Sequence, residues 1–505
     1  MSVVEEGKFV YTLRITSHAT FVTGRLIASS TLWQIASQTV MAALSIVTIK
    51  FVAIGLSTEL AGTYQSAYGF LQIFGILADF GLYAVAVREV SRQREEDRPR
   101  VLGAIIMLRA LITVLSLGTA LVIAWLVPVW QGTPLPLSIT IAAFVPFFTL
   151  LAGIRRTVFQ VHYRMRGVFV AEVSQRIVAV FLIGAVIAAG VRDSTDPAIL
   201  QLFLLSGSIG ALILLLLSIF LSRRLLIPVL RWDGAEIRRL LALAAPYGIA
   251  FLCTALYRQT DVTLIALLRP DYELQNAYYG FAMRAVEMGY LIPTFLLNST
   301  LPSLSERDAQ GHDTRAFLGK ILLTILLTGA IMALYAALWS RPIMLLLTRP
   351  EFVSGGEVLA GADTALRLLA LPLFLNGIVL FAFYSLLTRH VWRPLVAILS
   401  LGAVLSILLN VLLIPSLGFV GAAYTSMVLH VLLALVLFLV SRRVLPVSLP
   451  RPLLLRFLLL IVLFGIVLLL FQPFLTSSLL TVLLGIVSVA MLGLLVRITG
   501  IRTLL

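Results

Sequence analysis

The chain has 505 residues, of which 60% are hydrophobic and only 12% are charged. A water-soluble globular protein usually carries about 25% charged residues, because its surface faces water, so this composition excludes that class. The formal net charge is +15, but the basic residues stand in short segments between apolar runs, which excludes a nucleic-acid-binding face. The composition therefore indicates a protein that crosses a membrane several times.

Apolar runs of about twenty residues follow one another along the chain, and each has the length of a membrane-spanning helix. Their order predicts spans at 26–50, 61–85, 101–127, 137–154, 168–190, 198–221, 240–268, 276–302, 317–339, 357–386, 394–414, 418–440, 453–472 and 477–496. The loops between these spans are too short to hold an extramembrane catalytic domain. We expect an all-α polytopic membrane protein with about 14 transmembrane helices.

The basic residues favour one side of the membrane. If the N-terminus is cytoplasmic, most of the 38 lysines and arginines fall before the first span, in cytoplasmic loops or after the last span. Six fall on the outer side, namely Lys50, Arg192, Arg269, Arg341, Arg349 and Arg367. Because positively charged loops face the cytoplasm, and a missed helix would destroy the alternation, the pattern predicts both termini in the cytoplasm.

The two halves of the chain resemble each other. Residues 25–28 (RLIA) correspond to 239–242 (RLLA), and at the same offset Tyr64 corresponds to Tyr278. The repeat predicts a cytoplasmic lead-in at 1–24, an N-terminal six-helix lobe at 25–221, a cytoplasmic linker at 222–238, a C-terminal six-helix lobe at 239–441 and two additional transmembrane helices at 452–497. An even number of spans gives both lobes the same orientation, so their pseudo-two-fold axis runs along the membrane normal. Two such bundles around a central cleft suit alternating-access transport.

Charged residues in the middle of a span are informative, because each costs roughly 2.5–3.5 kcal/mol to insert. The seventh span carries Arg258 and Asp261, and the eighth carries Arg284 and Glu287, each pair lying on one helical face. One interpretation is that each pair neutralises itself. The other is that the two arginines line the cleft and bind an anionic headgroup through their planar guanidinium groups. The carboxylates then position the arginines, or act as ion sites, and are displaced or protonated during the cycle.

A polar stripe follows one face of the second span, and a similar cluster lies on the first. These spans provide the remaining candidate cleft residues, Gln34, Gln38, Gln65, Tyr68 and Gln72. Amide and aromatic side chains suit sugar hydroxyls, through hydrogen bonds and ring stacking, whereas the alternative is that they join helices to one another. Asp79, at the end of the stripe, is a further candidate cation or proton site.

Two other arginines, Arg109 and Arg176, lie about nine residues inside their spans, and we expect them to snorkel or to line the inner mouth of the cleft. Prolines inside spans should kink or unwind them, at Pro146, Pro246, Pro293 and Pro372. The histidines show no metal-ligand spacing, and no glycine loop suits a nucleotide phosphate. The sequence therefore predicts no metal site, no cofactor and no ATP hydrolysis.

Short motifs connect the chain with a known family. Residues 60–64 (LAGTY), 78–82 (ADFGL) and 87–90 (VREV) resemble the second-helix region of polysaccharide flippases, which typically shows G-x-Y, D-x-G and R-E patterns. Residues 413–415 (LIP) and 418–423 (GFVGAA) resemble the entry to their twelfth helix. Together these motifs resemble the polysaccharide-transporter (O-antigen and oligosaccharide flippase) branch of the multidrug/oligosaccharidyl-lipid/polysaccharide (MOP) exporter superfamily.

The resemblance implies two six-helix lobes, two extra helices and a cleft that opens alternately to each side. It implies a flippase, not an enzyme, in the cytoplasmic (inner) membrane of a prokaryote. Such a flippase moves a polyprenyl-pyrophosphate-linked oligosaccharide from the cytoplasmic to the outer leaflet, with membrane lipid and polysaccharide assembly enzymes as further partners. Two alternatives stay open: a cation-coupled drug or small-molecule antiporter of the same superfamily, and a membrane-embedded glycan polymerase or ligase.

Overall fold

The computed structural model describes residues 29–30, 32–309, 314–356, 359–389, 391–448 and 451–498. The predicted lead-in at 1–24, and the copy of the repeat motif at 25–28, lie outside these ranges. Within them the chain forms α-helices and short connections, without a β-sheet, and a β-bridge joins Leu56 to Ser194. The all-α prediction is confirmed.

The helices follow the chain as two lobes and a terminal pair. The N-lobe comprises α1 (Leu32–Gly55), α2 (Thr58–Asp79), α3 (Leu82–Arg92), α4 (Arg98–Leu126), α5 (Leu135–Ala142), α6 (Phe144–Val161), α7 (Arg166–Ala188) and α8 (Pro197–Ser222). The C-lobe comprises α9 (Gly234–Leu268), α10 (Tyr272–Ala309), α11 (Arg315–Leu338), α12 (Ser340–Leu347), α13 (Gly361–Leu368), α14 (Ala370–Thr388), α15 (Trp392–Leu417) and α16 (Phe419–Val444). The terminal pair is α17 (Arg451–Phe471) and α18 (Ser478–Ile498).

Each predicted span has a helical counterpart in the structure. In the described part of the chain, 12 helical stretches are long and apolar enough to cross a membrane. The other two counterparts, α2 with 22 residues and α10 with 38 residues, have the length but carry more polar side chains. Since polar side chains in a membrane face the protein interior or a water-filled cavity, α2 and α10 are the helices expected nearest the centre.

Two of the four predicted proline positions break their spans. The helix α5 ends at Ala142, four residues before Pro146, and α13 ends at Leu368, four residues before Pro372. A proline ring removes the N–H that would bond to the carbonyl four residues earlier and clashes with that carbonyl, so the helix ends there. Both breaks fall in the fourth span of their lobe, which agrees with the internal repeat.

The other two prolines, Pro246 and Pro293, lie within continuous helices, α9 and α10. A break that was not predicted separates α2 from α3, where Phe80 and Gly81 both adopt left-handed backbone angles, with φ of 42° and 69°. A Cβ atom at Gly81 would lie 2.6 Å from the Cβ of Tyr247 in the C-lobe, so a glycine is required both by its backbone angle and by this close approach. The second span therefore ends earlier than the predicted residue 85.

The two lobes meet chiefly along α2, which packs against α9 and α10. The backbone of α10 approaches so closely that a Cβ atom at Gly62 would lie 1.6 Å from the carbonyl oxygen of Glu273. Asn276 of α10 donates hydrogen bonds to Ser66 of α2 and to the carbonyl of Val262, both at 2.9 Å. These bonds fix the register of α2, α9 and α10 relative to one another.

The lobes are also joined at the end of the bundle opposite to the arginine-rich loops, which we call the far end. There Lys50 of α1 donates to the carbonyl oxygens of Leu345 (3.2 Å) and Thr348 (2.5 Å) in the C-lobe. Arg349 of the C-lobe in turn donates to the carbonyl of Leu56 (3.2 Å) and pairs with Asp193 (2.6 Å) in the N-lobe. Each lobe thus provides one cation to the other, and this end is closed.

The terminal helices pack on the C-lobe. Trp339, after α11, is buried and donates its indole N–H to the carbonyl of Leu468 in α17 at 3.0 Å. The hydroxyls of Tyr335 and Ser488 are hydrogen-bonded at 2.7 Å, which ties α11 to α18. The pair is therefore an attachment to one lobe, as the sequence predicts.

Candidate functional site

A cavity of about 480 Å³ lies between the lobes, surrounded by α1, α2, α7 and α10. Its polar wall consists of Gln38, Ser45, Thr48, Tyr64, Gln65, Tyr68, Gln175, Arg176, Arg284 and Glu287. We call it the central cavity. It brings together one predicted cleft residue from α1, two from α2 and one from α10, together with the predicted charge partner Glu287 of α10.

Arg176 of α7 faces the central cavity, and no carboxylate of the described residues pairs with it. Its Nε atom is buried and has no hydrogen-bond partner in the described part of the chain. The acid one helical turn earlier, Glu172, pairs instead with Arg156 (2.9 Å) and accepts a bond from Ser37 (2.6 Å). Arg176 therefore lines the centre of the cleft rather than its inner mouth, and a buried cation without a partner is a strong indication of an anionic ligand.

Arg284 of α10 is the second cation in the central cavity, and it does have a counter-ion. Its guanidinium pairs with Glu287 at 3.2 Å and donates from Nε to Gln65 of α2 at 3.3 Å. Glu287 also accepts hydrogen bonds from Gln259 of the C-lobe (3.1 Å) and from Gln72 of the N-lobe (3.4 Å). The predicted i,i+3 pair thus forms, but Glu287 also bridges the two lobes.

Arg258 of α9 lies in a second cavity of about 440 Å³, toward the arginine-rich end, which Asp79 of α2 also lines. Its guanidinium lies over the ring of Tyr290, 4.5 Å from the centroid, and its Nε is buried without a partner among the described residues. A small space of about 20 Å³, lined by Arg258, Arg284 and Glu287, separates this second cavity from the central one. The arginines therefore form a series from one cavity to the next.

Asp79 pairs with Arg109 of α4, which is only 2% exposed. The Asp79 side chain itself stays 37% exposed, at the wall of the second cavity. The structure therefore places Arg109 in a buried ion pair, away from both the membrane interface and the inner mouth of the cleft. Asp79 faces the second cavity, but its negative charge is already compensated by Arg109.

Asp261 does not pair with Arg258, although the two residues are three positions apart. It is 3% exposed and accepts hydrogen bonds from the hydroxyl of Tyr279 (2.6 Å) and the amide of Asn410 (2.8 Å). The other amide atom, Oδ1 of Asn410, is buried without a partner in the described part of the chain. A buried carboxylate with only neutral partners is expensive unless it binds a proton or a cation.

The remaining predicted residues divide between the cavity and the helix packing. Gln38 and Tyr68 line the central cavity, and the Tyr68 ring packs against that of Tyr64 at 4.8 Å. Gln34 lines neither the central cavity nor the second cavity. Gln72 reaches the small space between the cavities through its bond to Glu287.

Sequence reasoning missed several polar residues that line these cavities, of which Tyr64, Gln175 and Gln259 have the longest side chains. Each is a direct neighbour, or one helical turn away, from a residue that was singled out. The usable signal was therefore the polarity of the whole helical face, which continues through them. In the described part of the chain no group of three or more histidine, cysteine or acidic side chains is placed to hold a metal ion.

Comparison with known proteins identifies the fold and the family. The structure matches the lipid II flippase MurJ in an inward closed conformation with a TM-score of 0.68 and 14% identity, covering 93% of this chain and 99% of that one. It matches an inward-facing multidrug resistance MATE family transporter of the MOP superfamily with a TM-score of 0.61 and 12% identity, over 81% and 94%. A MATE transporter from Vibrio cholerae matches at 0.55 and 12% identity, over 83% and 96%. No curated protein sequence matches the chain.

Residues 27–308, more than half of the chain, match the family model described as polysaccharide biosynthesis protein. The chain belongs to this polysaccharide biosynthesis protein family. Its fold is shared with the MurJ flippase and the MATE transporters of the MOP superfamily. The family match confirms the polysaccharide family that the short motifs around the second and twelfth spans resemble. The structural matches show the fold, which is that of a multi-pass membrane protein.

Proposed function

We propose that this family member is a flippase that moves a polyprenyl-pyrophosphate-linked oligosaccharide from the cytoplasmic to the outer leaflet by alternating access. The observation that carries the proposal is the charge of the central cavity. Arg176 and Arg284 line it together, while Glu287 is the one carboxylate among its lining residues. A cavity of this kind at the interface of two lobes suits an anionic cargo that both lobes hold at once.

The pyrophosphate group accounts for the arginines. Each guanidinium presents a planar fork of donors that matches two phosphate oxygens, and its charge is permanent. Arg176 provides such a fork, with no ion pair to any described carboxylate, and Arg284 provides a second one when the headgroup replaces Glu287. In the low dielectric of the membrane interior these contacts are much stronger than in water. The polyprenyl tail stays in the bilayer, where it needs no polar partner.

The glycan has polar neighbours in the same cavity. Gln38, Gln65 and Gln175 offer amide donors and acceptors, and the packed rings of Tyr64 and Tyr68 offer an aromatic surface. Sugar hydroxyls bind to such amides, and sugar rings stack on such faces. This lining distinguishes an oligosaccharide cargo from a purely apolar drug.

The route follows from the contacts that join the lobes. With the far end closed by Lys50 and Arg349, the headgroup enters at the arginine-rich end, which we assign to the cytoplasm of a prokaryotic inner membrane together with both termini. Arg258 meets it first, in the second cavity, and the pair Arg176 and Arg284 meets it next. Polysaccharide assembly enzymes are the partners that supply the cargo.

Asp261 is the carboxylate we propose as the coupling-ion or proton site. Of the three acids predicted for this role, Asp79 and Glu287 are paired with arginines, whereas Asp261 has only the neutral partners Tyr279 and Asn410. The same distribution disfavours a drug antiporter, which needs a free carboxylate facing the cargo. Asp261 instead lies within the C-lobe, where its protonation or cation binding alters the packing of α9 against α15.

The test is a flipping assay in proteoliposomes with a fluorescent polyprenyl-pyrophosphate-linked glycan. We expect Arg176→Gln, Arg258→Gln and Arg284→Gln each to lower the rate of leaflet exchange by tenfold or more, since each removes a charge-assisted contact worth roughly 1.5–3 kcal/mol. Arg192→Gln, which removes an exposed arginine at the far end, is the matched control and keeps the wild-type rate. If all three arginine variants kept the wild-type rate of leaflet exchange, the central cavity would not be the site that binds the headgroup.

A further inference from the structure

The connection between the lobes, residues 223–233, has an unusual surface for a loop. Several of its large apolar side chains point outward: Ile227 is 70% exposed, Leu230 63% and Trp232 58%. Arginines stand among them, at Arg223, Arg224 and Arg231. We call this segment the lobe linker. Its mixture of exposed apolar and basic side chains is unfavourable in water and indicates a surface that contacts another partner.

The position of the lobe linker indicates at which depth of the membrane it lies. It joins the end of α8 at Ser222 to the start of α9 at Gly234, and both helices are long and apolar enough to cross a membrane. Its backbone is irregular and therefore cannot lie in hydrocarbon, where every N–H and C=O must be bonded. The segment thus lies at the headgroup level, where tryptophan side chains concentrate and where Ile227 and Leu230 reach the acyl boundary.

The charges of the linker are free to bind an external anion. Of the neighbouring acids, Glu236 pairs with Arg239 (2.7 Å), and Asp233 accepts the N–H groups of Ala235 and Glu236 (both 3.1 Å) through one carboxylate oxygen. Within the described residues no carboxylate pairs with Arg224 or Arg231.

A cavity of about 630 Å³ beside the linker adds a place for a headgroup. Its charged lining consists of the arginines Arg100, Arg231 and Arg239 and the carboxylates of Asp97, Asp233 and Glu236, with Trp232 beside them. The linker is fixed at this place, because the N–H of Val229 donates to the carbonyl of Pro99 at 2.9 Å. A Cβ atom at Gly103 would lie 1.9 Å from the Val229 carbonyl oxygen, so the start of α4 accepts the linker only with a glycine there.

We propose that the lobe linker, together with Arg100, is a binding surface for anionic phospholipid headgroups of the leaflet at the arginine-rich end. The arginines bind the phosphate, while Ile227, Leu230 and Trp232 insert among the acyl chains. Because the linker is bonded to α4 of the N-lobe and continues into α9 of the C-lobe, lipid bound here fixes the segment about which the lobes move. The surface is independent of the central cavity and of its cargo.

Native mass spectrometry of the full-length protein in a mixture of equal amounts of phosphatidylglycerol and phosphatidylcholine measures this preference. We expect phosphatidylglycerol to be enriched on the wild type, and Arg224→Gln/Arg231→Gln to reduce the enrichment roughly 25-fold, since each of the two basic residues near an anionic surface contributes about a fivefold preference. The control is Arg192→Gln/Arg367→Gln, which removes two exposed arginines at the far end. An equal reduction in both double variants, or none in the linker variant, would overturn the proposal.

A second measurement follows insertion directly and does not depend on folding of the double variant. Leu230→Cys in a Cys253→Ala background reacts with a water-soluble maleimide, and we expect several-fold slower labelling in permeabilised phosphatidylglycerol vesicles than in phosphatidylcholine vesicles. Arg192→Cys serves as the control and labels equally in both. Inorganic phosphate should give no protection at position 230. Equal labelling in the two lipids, or equal protection by phosphate, contradicts a lipid surface.

Discussion

Gln72 of the N-lobe donates a hydrogen bond across 3.4 Å to Glu287 of the C-lobe, the same carboxylate that neutralises Arg284. A single side chain therefore both compensates a cavity cation and joins the two lobes. An anionic cargo that displaces Glu287 from Arg284 also frees it from Gln72, which connects occupancy of the cavity with movement of the lobes.

This relationship predicts opposite effects on binding and on transport. Glu287→Gln leaves Arg284 without its counter-ion, so we expect a tenfold or greater increase in affinity for a polyprenyl-pyrophosphate analogue, together with slower flipping, because the cargo is held too tightly. Equilibrium binding and leaflet exchange measure the two effects. Glu273→Gln, at the start of α10 outside the cavity, is the control. A variant that binds more weakly would contradict the displacement of Glu287.

Closure of the far end depends on the exchange of cations between the lobes. We expect Arg349→Ala to open this end more often, because it removes the bonds to Asp193 and to the Leu56 carbonyl. A partly exposed pair contributes up to about 1 kcal/mol, which shifts the open population roughly fivefold. Labelling of Ser45→Cys from the far side, in a Cys253→Ala background, reports on the change.

The matched control for this end is Arg341→Ala. Arg341 donates to the carbonyl of Ser354 at 2.6 Å, so its bond stays within the C-lobe and does not cross the interface. Its removal should leave the labelling rate at Ser45→Cys unchanged. Equal acceleration by both variants would show a general loosening of the far end rather than a specific contact between lobes.

The buried ion pair in the N-lobe predicts an asymmetric loss of stability. Asp79→Asn leaves Arg109, only 2% exposed, as an unpaired buried cation, and we expect about 3 kcal/mol of destabilisation. Arg109→Leu leaves Asp79, whose side chain is 37% exposed and stays hydrated, so its effect should be smaller. Thermal unfolding of the purified protein in detergent compares the two. The reverse order would contradict the dry environment of Arg109.

Asp261 is expected to make transport depend on an ion or proton gradient. Asp261→Asn keeps the hydrogen-bonding shape toward Tyr279 but cannot take up a proton or a cation, so the flipping rate should lose its dependence on the sodium or proton gradient. The control is Asp271→Asn, at the far end. Hydrogen bonds from Arg269 hold the pKa of Asp271 below its ordinary value, so it is charged at neutral pH but lies outside the cavities. If flipping by Asp261→Asn still depended on the gradient, Asp261 would not be the coupling site.

Local sequence features predicted the helices but not their partners. Hydropathy along the chain is sufficient to locate spans, because any segment in hydrocarbon must bond its own backbone. The same reasoning identified the breaks near Pro146 and Pro372, since the missing N–H acts within one turn. Arg284 and Glu287 pair as predicted because both side chains belong to one helical face.

Predictions failed or stayed incomplete where a partner comes from another helix. Asp261 turns away from its neighbour Arg258 toward Asn410, which is 149 residues distant. Arg109 lies in a buried ion pair with Asp79 and does not snorkel. Arg176 has no ion pair among the described residues because Glu172, the acid one turn before it, pairs with Arg156 instead. Spacing on one helix does not contain this information.

The amino-acid sequence by itself determined that the chain is helical, that it crosses a membrane many times, and that its polar helices face inward, because these follow from the local cost of polar groups in lipid. Only the tertiary structure decided which arginines stay unpaired, because an ion pair within a membrane depends on which carboxylate the packing of neighbouring helices brings within about 4 Å. In the described part of the chain, the unpartnered Nε atoms of Arg176 and Arg258 are thus a property of the assembled lobes.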